Sequence, residues 1–110
     1  MHHNQKLDAP SGTALMLADA AKAGLSYEPE YTYDRHTRRQ KRDKKEIGIA
    51  SLRGGTVVGE HSVYFAGEQE VITLSHSAGS RSVFASGAVT AAAFIVGKAP
   101  KMYSMEDILA

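Results

Sequence analysis

Residues 47 to 67 read Ile47-Gly48-Ile49-Ala50-Ser51-Leu52-Arg53-Gly54-Gly55-Thr56-Val57-Val58-Gly59-Glu60-His61-Ser62-Val63-Tyr64-Phe65-Ala66-Gly67, and the pattern continues to Ser77. Glycines cut this stretch into three runs rich in β-branched and aromatic residues. Ile47 to Arg53 ends at Gly54-Gly55, Thr56 to Phe65 ends at Ala66-Gly67, and Glu68 to Ser77 closes the series. The last run alternates Ile72, Leu74 and His76 against Val71, Thr73 and Ser75, the period of a strand. Short glycine-bearing gaps between such runs predict antiparallel hairpins.

Helical patterns flank the strands. Pro10 to Gly24 carries Ala14, Leu15, Ala18, Ala21 and then Leu25 at helical spacing. Ser11 or Asp8 can cap its start and Gly24 suits its end. Glu28 to Lys45 is polar and irregular. From Arg35 to Lys45 it holds seven Arg or Lys against one Asp, a run expected to be a solvated loop. Ser80 can cap a second helix from Arg81 to Val96, with Gly97 at its end. Ser104 to Leu109 reads as a short third, with Glu106 and Asp107 in the first turn, where carboxylates suit the helix dipole. Strands gathered between helices predict an α+β fold: an open mixed or antiparallel sheet with helices packed on one face. The other face keeps apolar residues, so a partner subunit is expected to cover it.

The chain has 110 residues, 43% of them hydrophobic, which predicts one domain over residues 1–110 with a core of its own. A net charge of +1 gives no global pull toward nucleic acid or a membrane surface. The absence of Cys excludes disulfides and thiolate chemistry and accords with a cytoplasmic location. Phe84 to Val96, the longest mainly apolar stretch, is too short and too polar to span a bilayer.

Chemistry gathers near the start, in His2-His3-Asn4-Gln5-Lys6-Leu7-Asp8-Ala9-Pro10-Ser11-Gly12-Thr13-Ala14. Two imidazoles and an amine precede a helix whose first turn holds Ser11, Gly12 and Thr13. A helix start offers free N–H groups and a partial positive charge, and Gly12 lets a ligand approach the backbone. This is an anion cradle with a proton donor beside it, and a carboxylate or a phosphate fits it equally. The bland alternatives are a plain helix cap, a solvated lysine and a purification-tag scar at Met1-His2-His3. A metal site has little support, because neither Cys nor a further His–carboxylate spacing closes one.

The motif His-His-x-x-Lys-x-Asp-Ala-Pro-Ser-Gly-Thr-Ala at residues 2–14 resembles the signature of the dihydrodipicolinate (4-hydroxy-tetrahydrodipicolinate) reductases. The resemblance continues through Glu46 to Ile49, Arg53 to His61, Phe65 to Gly67, Ser80 to Ala88 and Met105 to Leu109. It covers essentially the whole chain and removes most of the case for a tag.

By position, the resemblance implies that His2 is a catalytic proton donor or acceptor and Lys6 the proton-donating lysine. His3, Gly12 and Thr13 would bind substrate, with Ser11 beside them. Arg81 and Phe84 are the candidates in this chain for a cofactor contact. The implied reaction reduces a cyclic imine bearing two carboxylates with NADH or NADPH, in lysine biosynthesis through diaminopimelate. The implied fold is a C-terminal domain like that of glyceraldehyde-3-phosphate dehydrogenase, with the sheet face building a homotetramer. Three features depart from the family. No Gly-rich nucleotide-binding half precedes the motif, so this chain alone is expected to be inactive. A glutamate common before the His pair lies outside it, and Asp34 to Lys45 is a more basic variant of its loop. Two competing classes are a non-catalytic oligomerisation or ligand-binding module that keeps the anion site, and a nucleic-acid binder using Arg35 to Lys45. The latter lacks a basic helix or an aromatic stacking platform.

Overall fold

A computed structural model describes residues 1–110. Helix α1 spans Gly12–Ala23, strands β1 and β2 span Glu30–Thr32 and Glu46–Gly48, and strands β3 and β4 span Gly59–Ala66 and Val71–Ala78. Helices α2 and α3 follow at Ser82–Ile95 and Met105–Leu109. The fold class is α+β, as predicted. The chain forms two compact units, Met1–Ser77 and Ala78–Ala110.

In the first unit, α1 begins where the sequence places its cap. Ser11 is extended (φ −71°, ψ 156°) and its side chain accepts from the Ala14 amide, satisfying one of the free donors of the first turn. Gly24 ends the helix in a right-handed conformation (φ −85°) and returns its amide to Ala21 and Lys22. Of the predicted stripe, Ala18 is buried while Leu25 stays exposed.

The sheet departs from the predicted three-strand meander. The first predicted run is a strand only over β2, and β2 pairs in parallel with β1, register Glu30↔Glu46, Tyr31↔Ile47 and Thr32↔Gly48. β3 and β4 form a separate two-stranded sheet, joined through a tight connection in which the Gly67 amide donates to the Glu70 carbonyl at 2.9 Å. Strand β1 lies inside the stretch read as irregular. Three residues are too few to display an alternation, and its pairing depends on a partner 16 positions away.

The loop between β1 and β2 carries the basic run, and two of its arginines are structural. Arg35 Nη1 donates to both carboxylate oxygens of Glu46, at 2.5 and 2.6 Å, and Arg35 Nη2 to the Gln40 carbonyl at 3.0 Å. Arg42 donates to the Glu46 carbonyl. Glu46 is buried, so its charge requires these partners.

In the second unit, the cap position of α2 is Arg81, in helical conformation and without a side-chain capping bond. This is one residue later than the predicted cap Ser80, whose Oγ accepts from the Ser82 amide. Gly97 (φ +73°) turns the chain beyond the helix end. Ser104 and Asp107 form a reciprocal capping box at α3. Phe94 and Tyr103 meet edge to face, 5.9 Å between centroids. No helix is long and apolar enough to cross a membrane.

Few apolar side chains are buried. The buried apolar residues are Ala18 and Ala78, both small. In the first unit, Leu17, Ala21, Ile47, Ile49, Val63 and Phe65 line an open cleft of about 740 Å³ instead of interlocking. Composition supplies enough apolar side chains, but burial depends on the elements closing upon them.

Candidate active site

The segment before α1 is tied down by backbone hydrogen bonds. The His2 amide donates to the Leu52 carbonyl at 3.1 Å, and the Gly54 amide donates to the His2 carbonyl at 3.0 Å. His2 and Arg53 thereby form a parallel bridge. On the other side the Glu60 amide donates to the Met1 carbonyl at 2.9 Å. The Asn4 amide donates to the carbonyl of Gly55 at 3.1 Å. Gly55 has φ +55°, a conformation that favours glycine. The predicted glycine pair therefore forms the turn on which the His-His segment is mounted.

Arg53 ties the rest of the segment down. Its Nη2 donates to the Asp8 carbonyl at 2.5 Å and its Nη1 to the Leu52 carbonyl at 2.8 Å. Lys6 donates to the Asp8 carboxylate at 2.6 Å, and this hydrogen bond, ahead of other influences, holds the Asp8 carboxyl below its usual range. His3 Nδ1 accepts from the Gln5 amide at 3.2 Å.

The ring of His2 occupies a slot. Gly59 forms one wall, where an added Cβ would lie 3.3 Å from His2 Nε2. His61 of β3 forms another, edge to face at 5.0 Å between centroids. His61 Nε2 in turn lies 3.0 Å from Ser11 Oγ. The His2 pKa is lowered, first by burial and then by the positive charges of His61, the chain's amino group, Lys6 and Arg53. Burial also lowers that of His61, followed by the amino group, His76 and Lys6. A neutral imidazole can accept a proton and return it.

The sequence-predicted residues are thus partly convergent. His2 and Ser11 are linked through His61, and the charge of Lys6 acts on both imidazoles. Gly12 and Thr13 form the exposed first turn of α1. Their amides have no acceptor one turn back, and a side chain at Gly12 would meet nothing within 4 Å. Arg81 and Phe84 lie in the second unit. Sequence reasoning did not assign Arg53 and His61 to the site. Both stand in the quoted motif residues, but their roles rest on contacts 45 and 50 positions apart. No group of three His, Cys, Asp or Glu side chains converges as a metal site would require.

Comparison with known proteins matches residues 1–109 to the family described as dihydrodipicolinate reductase, C-terminus. A 4-hydroxy-tetrahydrodipicolinate reductase of Caldanaerobacter subterraneus subsp. tengcongensis is 57% identical over 98% of this chain and 43% of its own length. One from Allorhizobium ampelinum is 54% identical over 99% of this chain and 41% of its own length. Among solved structures, a dipicolinate-bound dihydrodipicolinate reductase from Paenisporosarcina sp. TG-14 superposes with a TM-score of 0.50 at 30% identity, covering 81% of this chain and 35% of that one. The chain spans about two fifths of the length of the curated relatives it matches. On the family match and the long identities, the chain belongs to the dihydrodipicolinate reductase family and corresponds to its C-terminal part.

Proposed function

We propose that this chain is the substrate-binding and proton-donating part of a 4-hydroxy-tetrahydrodipicolinate reductase, an NAD(P)H-dependent step of lysine biosynthesis through diaminopimelate. The observation that carries this reading is the joining of His2 and the head of α1 through His61, with the Lys6 ammonium nearby. The Gly12 and Thr13 amides receive one carboxylate of the substrate, and the Ser11 and His61 network keeps that turn in place. Lys6 and His3 stand on the segment leading into the helix. Lys6 contributes charge to the dicarboxylate and delivers a proton to the reduced ring, and His2 accepts or returns one. The solved relative is described as binding dipicolinate, a planar dicarboxylate of the class such a cradle suits.

The residues of this chain do not build a dinucleotide site. Gly54-Gly55 is a strand-to-strand turn, and no Gly-rich turn opens a helix after a strand. NADH or NADPH belongs, on this reading, mainly to the part of the relatives' length that the chain does not span, with Arg81 and Phe84 as contacts from this part. The chain on its own is accordingly inactive. Its exposed sheet residues are covered by sister subunits in a cytoplasmic homotetramer.

Lys6 is the decisive position. In the reductase carrying the nucleotide-binding part, Lys6→Ala lowers turnover by about 100-fold or more and leaves cofactor affinity unchanged. Turnover within about twofold of wild type would make Lys6 only the ion-pair partner of Asp8.

A further inference from the structure

We propose that His61 is a positioning residue that sets two parts of the site at once: it holds the Ser11 hydroxyl at the head of α1 through Nε2 and braces the His2 ring with its edge. This rests on the functional reading above and adds to it a residue that does not touch the reacting atoms.

The argument begins with Ser11, which is buried at 6% exposure. A buried hydroxyl needs a partner for its proton as well as for its lone pairs. One lone pair takes the Ala14 amide at 3.2 Å. The proton has one partner in the structure, His61 Nε2 at 3.0 Å. Nε2 is therefore the acceptor, and the His61 proton resides on Nδ1. An imidazolium donates from both nitrogens and cannot fill this role. Protonating His61 would strand the hydroxyl proton and loosen the cap that fixes the first turn.

The surroundings keep the ring neutral. Burial acts first, and His76 and Lys6 add positive charge. His2 faces it edge-on, its ring at 71° to that of His61. Gly59 stands two residues earlier on the same face of β3 and leaves the space that the His2 ring fills. Losing the His61 ring would remove one wall of the His2 slot and the acceptor for Ser11 together. A role confined to fold stability would not link ligand binding to one tautomer.

Two substitutions separate acceptor from bulk. His61→Phe keeps an aromatic edge against His2 and removes the acceptor. His61→Gln places an amide oxygen near the lost Nε2. The readouts, in the reductase carrying the nucleotide-binding part, are calorimetric binding of pyridine-2,6-dicarboxylate, the nitrogen-15 spectrum of the His61 ring and amide exchange at Ala14. The expected results are an unprotonated Nε2 in wild type, faster Ala14 exchange in His61→Phe, and dicarboxylate binding weakened about tenfold by Phe but under about threefold by Gln. Binding within about twofold of wild type for His61→Phe, or a proton on Nε2, overturns the proposal. If wild type itself does not bind the dicarboxylate, the functional reading fails. The ring spectrum and Ala14 exchange then still decide the role of His61.

Discussion

Around the head of α1 and the β1–β2 pair, the buried residues include the polar Ser11, Thr32 and Glu46. Along β4 the reverse holds: Val71, Ile72 and Leu74 expose 59%, 57% and 62% of their surface. Helix α2, rich in Ala, Val and Phe, has no buried residue. In the first region, hydrogen bonds of 2.5 to 3.2 Å between Ser11 or Glu46 and partners inside the chain define the geometry, whereas the buried Thr32 hydroxyl has no partner. In the second, the residues able to gain most from leaving water have not left it. The polar contacts are made within the chain, whereas these apolar side chains remain exposed in it.

The contrast breaks first at β4. Leu74→Asp places a charge on the apolar row without touching any hydrogen bond of the site. If a sister subunit covers that row, the substitution costs about 3 kcal/mol per buried contact and weakens self-association roughly 100-fold. Sedimentation or light scattering across a concentration series reads this directly. An unchanged oligomer would place the covering surface elsewhere.

The polar region is tested at Arg35. Glu46 exposes 6% of its side chain and Arg35 39%. Removing one partner of a buried pair leaves a charge without compensation, at about 3 to 5 kcal/mol in full burial. The exposure of Arg35 lowers that, so Arg35→Met is expected to cost about 2 kcal/mol. For a domain near this size the melting temperature falls by about 10 °C. Calorimetry of the assembled protein checks it. An unchanged melting temperature would mean that water replaces the guanidinium.

What the sequence made legible divides along the same line. Caps are local, so the start of α1 at Ser11, the end of α2 near Gly97 and the start of α3 at Ser104 were all readable from a few adjacent residues. The β3–β4 hairpin was readable because its connection is short and its strands are long enough to alternate. The parallel β1–β2 pair was not, since β1 has three residues and its partner lies beyond a charged loop. His2, Lys6 and the Ser11 turn were visible through the motif. Arg53 and His61 entered the site only once the chain folded back by 45 and 50 positions. Hydrophobic content alone did not reveal that the core would stay open, because that depends on which apolar faces meet.

The smallest expected effect is a pH dependence specific to the site. His2 and His61 both titrate below their ordinary value of 6.5, burial being the first cause for each. In the interval between the folded value and 6.5, the unfolded chain binds more protons than the folded one. Stability therefore rises with pH through that interval. It is complete above about 6.5 and declines as the pH drops below it. The carboxylates act in a different window. Asp8 and Asp107 lie below 3.8, chiefly through hydrogen bonds from Lys6 and from the Ser104 amide, so their contribution is lost only in stronger acid. Tyr31, pushed up to about 12 by its hydrogen bond to Asp19, contributes below pH 10 and loses that contribution as the pH climbs toward 12. Between pH 5 and 7 the two histidines are thus isolated from these other groups. Melting temperatures recorded across that range should fall toward the acid end for wild type and fall less for His61→Gln, which retains an acceptor for Ser11 but no proton to gain. Parallel curves for the two proteins would mean that His61 does not carry the acid sensitivity, leaving His2 as its source.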